Sequence, residues 1–133
     1  MRKIFAMILA VLLIICGTIT VCAAVPETVM PLWENISSIN CDLTFDGTDG
    51  LGKGTARGQI GTTQMIGTVT VYVQTSSGWS EVGSASQTVA GNRISVSVEF
   101  DGETGEYYKA VFELTCVRNG VSESETRTEY RTC

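Results

Sequence analysis

The stretch Ile94-Ser95-Val96-Ser97-Val98-Glu99-Phe100 alternates apolar and polar residues without a break, and its reading decides the fold. Period two places Ile94, Val96, Val98 and Phe100 on one side of an extended chain and the hydroxyls and carboxylate on the other. That is the pattern of a strand with one face on a core and one in water. The pattern continues outward in both directions. Downstream, Asp101-Gly102-Glu103-Thr104-Gly105 reads as a turn, after which Tyr108, Ala110, Phe112, Leu114 and Cys116 form an apolar face opposite Lys109 and Glu113. Upstream, Val69, Val71 and Val73 alternate with Thr68, Thr70 and Tyr72, and Ile39, Cys41, Leu43 and Phe45 share a face of a first strand. A weaker, glycine-rich run spans Thr55 to Ile60, and a further strand runs from Trp79 to about Val89.

No helical period interrupts this series from Ile36 to the end. Seven short strands with turn signals about every ten residues indicate an all-β, antiparallel, immunoglobulin-like sandwich over 36–133. A small closed barrel is the alternative. The last hairpin poses a choice of register. A loop of Asn119-Gly120 alone would set Glu123, Glu125, Arg127, Glu129 and Arg131 on the core side, whereas a three-residue loop Arg118-Asn119-Gly120 turns them to water. Because unpaired charge is costly to bury, the second register is expected, with Tyr108 opposite Tyr130 and Lys109 opposite Glu129.

Met30-Pro31-Leu32-Trp33 before the first strand, Gly61-Thr62-Thr63, Trp79, Glu106-Tyr107-Tyr108 and Asn119-Gly120 together carry a resemblance. The mature chain resembles a group of short exported proteins of Gram-positive, clostridia-like bacteria. The resemblance implies an immunoglobulin-like or fibronectin-type-III-like fold, and no activity.

Arg2 and Lys3, an apolar run from Ile4 to Val21, and the small residues Ala23 and Ala24 read as a secretory signal peptide over 1–24, followed by an extended segment over 25–35. An uncleaved anchor is the alternative, since the run has 18 residues. Removing 24 residues from 133 leaves 109, and the loss of Arg2 and Lys3 leaves 7 basic against 14 acidic side chains, a formal charge of −7. That balance argues against nucleic acid and anionic lipid as partners. A secreted protein without membrane attachment after processing is expected. Histidine is absent altogether, which excludes Ser-His-Asp and Cys-His catalysis and imidazole-based zinc sites. No phosphate-cradling glycine loop occurs.

Three cysteines follow the signal. Cys41 and Cys116 both point to the core by parity and are the disulfide candidates, with two free buried thiols as the other reading. Cys133 falls on the charged outer face as an exposed thiol, available to link two chains. Tyr72, Tyr107 and Val111 are expected on one solvent-facing sheet surface, where aromatics can stack on a sugar or a partner protein. Trp33 and Trp79 read as edge-of-core residues. Asp42, Asp46, Asp49, Asp101, Glu103 and Glu106 gather near turns, a calcium-compatible chemistry whose spacing does not fit the EF-hand loop and which turn formation alone explains. No cofactor or metal is expected. Asn35-Ile36-Ser37 fits the glycosylation acceptor pattern. The sequence therefore points to a non-enzymatic extracellular module that binds a protein or a glycan. A small secreted hydrolase or inhibitor, or a matrix component, is the alternative.

Overall fold

The alternating stretch forms β5 (Arg93–Asp101) of an all-β architecture seen in a computed structural model that describes residues 32–133. The other strands are β1 (Ile36–Asp46), β2 (Asp49–Gly58), β3 (Thr62–Thr75), β4 (Gly78–Val89), β6 (Tyr107–Arg118) and β7 (Val121–Thr132). The expected signal peptide and most of the segment after it lie outside the described residues. Among the described residues no helix is long and apolar enough to cross a membrane.

Two antiparallel sheets result, a three-stranded one in the order β1-β2-β5 and a four-stranded one in the order β4-β3-β6-β7. Their inner faces meet in one core of Ile36, Leu43, Met65, Val69, Val71, Ile94, Val96, Phe100, Tyr108, Phe112 and Leu114. Compared with the constant-type immunoglobulin order, where the fourth strand sits beside the fifth, β4 lies beside β3 on the opposite sheet. A further immunoglobulin-like feature marks the start of β6. The Tyr108 hydroxyl accepts a hydrogen bond from the Glu103 backbone N–H at 2.8 Å, five residues upstream, which is the tyrosine corner of such sandwiches.

The glycine-rich strand begins earlier than its composition suggests. Asp46 pairs with Asp49 across a two-residue turn, so the strand expected from Thr55 to Ile60 runs instead from Asp49 to Gly58. Its inward glycines make room for rings. A Cβ on Gly54 would stand 2.3 Å from the Phe112 ring, and one on Gly50 2.3 Å from that of Phe100. Packing against neighbours, not strand propensity, selects glycine here.

The hairpin β6–β7 takes the two-residue turn. Asn119 and Gly120 have φ of 53° and 74°, the left-handed pair of a type I′ turn, and Arg118 pairs directly with Val121. Tyr108 consequently faces Arg131 rather than Tyr130, Phe112 faces Arg127, and Lys109 faces Tyr130. The expected three-residue loop is thus corrected. Its premise failed because β7 is an edge strand, and the facing sheet has one strand fewer. Three of the inward charges, Glu123, Glu125 and Arg127, lie under the chain that leads into β1. One Glu123 carboxylate accepts backbone N–H bonds from Asn35 at 2.6 Å, Ile36 at 2.9 Å and Glu34 at 3.2 Å. Glu125 takes the Trp33 indole N–H at 3.1 Å and pairs with Arg127 at 3.2 Å, whose guanidinium lies 5.1 Å from the Trp33 ring centre. Every buried side-chain nitrogen and oxygen among the described residues has a hydrogen-bond partner. Inward charge on an edge strand also deters pairing with a foreign strand.

The expected bridge between Cys41 and Cys116 is not formed, and both are free thiols in the core. Cys41 Sγ lies 3.5 Å from the Ala110 carbonyl, whereas Cys116 Sγ contacts the Asn35 carbonyl at 3.5 Å and Thr62 Oγ1 at 3.6 Å. Ala110 and Cys116 are six residues apart on β6, so the thiols sit roughly 20 Å apart along the strand direction. A disulfide needs Cα atoms within about 7 Å. Parity fixed the face of each cysteine but not its height. Cys133 is also displaced from its expected position. Its backbone exchanges hydrogen bonds with Glu106 and Gly105, and its half-buried thiol points to the Gly47 carbonyl at 3.7 Å instead of standing on the outer face.

Candidate functional site

The outer face of the four-stranded sheet gathers the unusual side chains. Register alone builds its rows. Glu81 of β4, Tyr72 of β3, Lys109 of β6 and Tyr130 of β7 are consecutive cross-strand neighbours. In the next row toward the chain terminus Trp79 pairs with Gln74, and Tyr107 pairs with Thr132. Between these rows and the rest of β4, Val82 is an extra residue in a bulge, since Val71 pairs with Gly83 and Tyr72 with Glu81.

Trp79 reaches over β3 to meet β6 and β7. Its ring centre lies 6.0 Å from those of both Tyr107 and Tyr130, and these tyrosines stack at 5.9 Å with 15° between their planes. Beneath this trio Lys109 places its ammonium 4.5 Å from the Trp79 ring centre and 5.1 Å from that of Tyr72. Both distances are in the range of cation–π attraction. No carboxylate of the described residues lies within ion-pair distance of Lys109. The aromatic surface stays accessible, with Tyr107 37% and Tyr130 49% exposed.

Rows of hydroxyls extend from the aromatic end. Ser84, Thr70, Val111 and Thr128 make one row, and Ser86, Thr68, Glu113 and Thr126 the next. Thr68 and Ser86 hydroxyls lie 2.7 Å apart, Thr70 and Ser84 3.2 Å, and Thr115 and Ser124 3.0 Å.

Of the residues singled out in the sequence, Tyr72 and Tyr107 come to this cluster, and Val111 lies on the same face one row away. Trp79 belongs to it as well, contrary to its reading as an edge-of-core side chain. Trp33 does pack on the core edge. Tyr130 was missed because the expected three-residue loop turned it inward. Taking Asn119-Gly120 at face value as a two-residue turn would have placed it outside.

The remaining candidates are less organised. Asp46, Asp49 and Asp101 form one row across the three-stranded sheet, beside a concavity of about 610 Å³ that also touches Phe45 and Glu99. Among the described residues no group of three acidic or cysteine side chains is disposed to hold a metal ion. Asn35 is 6% exposed, and its amide nitrogen donates to the Val121 carbonyl at 3.0 Å, so the glycosylation motif is folded into the structure. Burial, with the Asp42 and Glu129 carboxylates adding to it, pushes the Cys41 thiol up to about 11. Such a thiol is a poor nucleophile at neutral pH.

No family model and no curated protein matches the chain. Among solved structures it is similar to the solution structure of R. palustris CsgH, at 14% identity over 66% of this chain and 87% of that one, with a TM-score of 0.44. It is also similar to wild-type OgpA from Akkermansia muciniphila, at 16% identity over 72% of this chain and 29% of that one, with a TM-score of 0.35. A catalytically inactive OgpA in complex with an O-glycopeptide substrate matches at 15% identity over 76% of this chain and 32% of that one, with a TM-score of 0.34. The chain thus spans under a third of OgpA.

Proposed function

We propose that the protein is a non-catalytic binding module that works outside the cell and meets its partner with the outer face of β4-β3-β6-β7. The observation that carries this reading is the convergence of Tyr72, Trp79, Tyr107 and Tyr130 from four strands around one lysine. Large rings on a rigid sheet supply contact area at little cost in conformational entropy, which is why Trp and Tyr dominate binding surfaces. Export follows from the order of charged, apolar and small residues at the start of the chain. A hydrolase is the weaker reading. The carboxylates beside the concavity, Asp46, Asp49, Glu99 and Asp101, are all exposed, whereas a carboxylic acid that donates a proton near neutral pH is usually raised by burial.

Immobilised protein, exposed to culture medium of the organism that makes it, tests the surface. The wild type is expected to retain a partner that the Tyr72→Ala/Tyr107→Ala variant loses. Equal retention by both would dismiss this face as the contact surface.

A further inference from the structure

The identity of the partner is written in what surrounds the rings. Resting on the reading of this face as the contact surface, we infer that it takes an uncharged polysaccharide chain, stacked across Trp79, Tyr107 and Tyr130 and continued over the adjoining hydroxyl rows.

The first argument is charge. The outer positions of the four-stranded sheet carry only Glu81, Lys109 and Glu113 as charged residues. Those of the smaller three-stranded sheet carry Asp42, Asp46, Asp49, Glu99 and Asp101 together with Lys53, Arg57 and Arg93. In a chain of formal charge −5 the polar surface is therefore sorted, and the aromatic face is the one nearly cleared of ions. An anionic partner would meet Glu81 and Glu113 with a single cation to answer it, and that cation is occupied by two rings. An uncharged partner meets no such penalty.

The second argument is polar matching. Gln74, Thr70, Thr128 and Thr132 border the rings, and Ser/Thr pairs continue along the sheet. Covering them with an apolar protein surface would leave donors and acceptors unpaired. A sugar chain answers each with a hydroxyl while its C–H faces lie on the rings. The Trp79, Tyr107 and Tyr130 ring centres stand 5.9 to 6.0 Å from one another as a triangle, with the tyrosines stacked and the indole tilted by 44° and 54° to them, an apolar patch on the scale of a pyranose ring.

Lys109 is then a positioning residue. Its ammonium holds the Trp79 indole, from the start of β4, down across β3. It need not touch the ligand.

Affinity electrophoresis through gels containing soluble β-glucan, galactomannan, xylan, starch or polygalacturonate tests the inference. At least one neutral polymer should retard the wild type, and polygalacturonate should not. Tyr107→Ala/Tyr130→Ala should weaken retention by at least about tenfold, and Tyr107→Phe/Tyr130→Phe should preserve most of it. Lys109→Met should lower affinity severalfold, with Lys109→Arg restoring it, and the binding should be insensitive to salt. Near-ultraviolet circular dichroism identifies any variant that has lost its fold, and the phenylalanine pair supplies the comparison if the alanine pair fails it. Retardation by polygalacturonate alone, lost in the alanine pair, would overturn the uncharged ligand and leave the face intact. Passage of the wild type through every gel would overturn the glycan inference. Retardation equal in wild type and the alanine pair would overturn both the ligand and the face.

Discussion

Tyr108 serves two purposes with one side chain. Its ring is buried in the core beside Phe45 and Phe100, at centroid distances of 5.3 and 5.4 Å, and its hydroxyl fixes the loop between β5 and β6 by accepting the Glu103 N–H. The two roles separate cleanly by substitution. Tyr108→Phe keeps the ring and leaves one backbone donor without its partner, which should cost about 1 kcal/mol in urea unfolding. An unchanged midpoint would show that the corner bond carries no stability. The inward placement of this ring was legible from period two, because Ala110, Phe112 and Leu114 share its parity. The hydroxyl bond was not, since it depends on how a five-residue loop curls back and no local pattern encodes that. Cys133 shows a related limit. A parity rule presumes a continuing pleat, and at the last residue the side chain turns between Gly47 and Gly102.

At the scale of elements, β3, β5 and β6 were readable because each carries an unbroken apolar run on its inner face, so slipping by one residue would expose it. The register of β7 was not, because neither of its faces is apolar and charge alone misled. Whether a carboxylate is tolerated on the inner side depends on what lies opposite, and there the chain entering β1 offers three backbone donors to Glu123. Glu123→Gln tests this contact. The amide replaces a charged acceptor by a neutral one and brings a donor toward other donors, so a loss of about 1–3 kcal/mol is expected. Amide hydrogen exchange at Asn35 and Ile36 should accelerate with it. Unchanged exchange there would mean that the carboxylate does not hold the segment. The aromatic cluster was half legible for the same reason. Tyr72 and Tyr107 follow from the parity of well-patterned strands, whereas Tyr130 required the register of the badly patterned one.

For the whole molecule, stability rests on the core and its hydrogen bonds, with three separate thiols and no covalent tie among the described residues. Protein unfolded without reductant should alkylate at Cys41, Cys116 and Cys133, and folded protein far more slowly at the first two. Alkaline pH adds a second check. Folded Cys41 loses its proton near 11 and the unfolded chain near the ordinary 9.0, so between these values the unfolded state alone gives up a proton. The contribution of this thiol is complete below about 9 and vanishes as pH rises through 11, by about 3 kcal/mol in all. Cys41→Ala should flatten the decline in urea midpoint over that window. Parallel declines would exclude Cys41 as the source.

The bare inner side of β2 has a consequence for how such a chain can change over generations. The volume it gives up is filled from β5 and β6, so enlargement at position 50 or 54 is admissible only alongside a shrinkage at Phe100 or Phe112. These sites are bound into reciprocal pairs. Each partner constrains the other's descent, and related chains should differ there by coupled exchange of bulk or not at all.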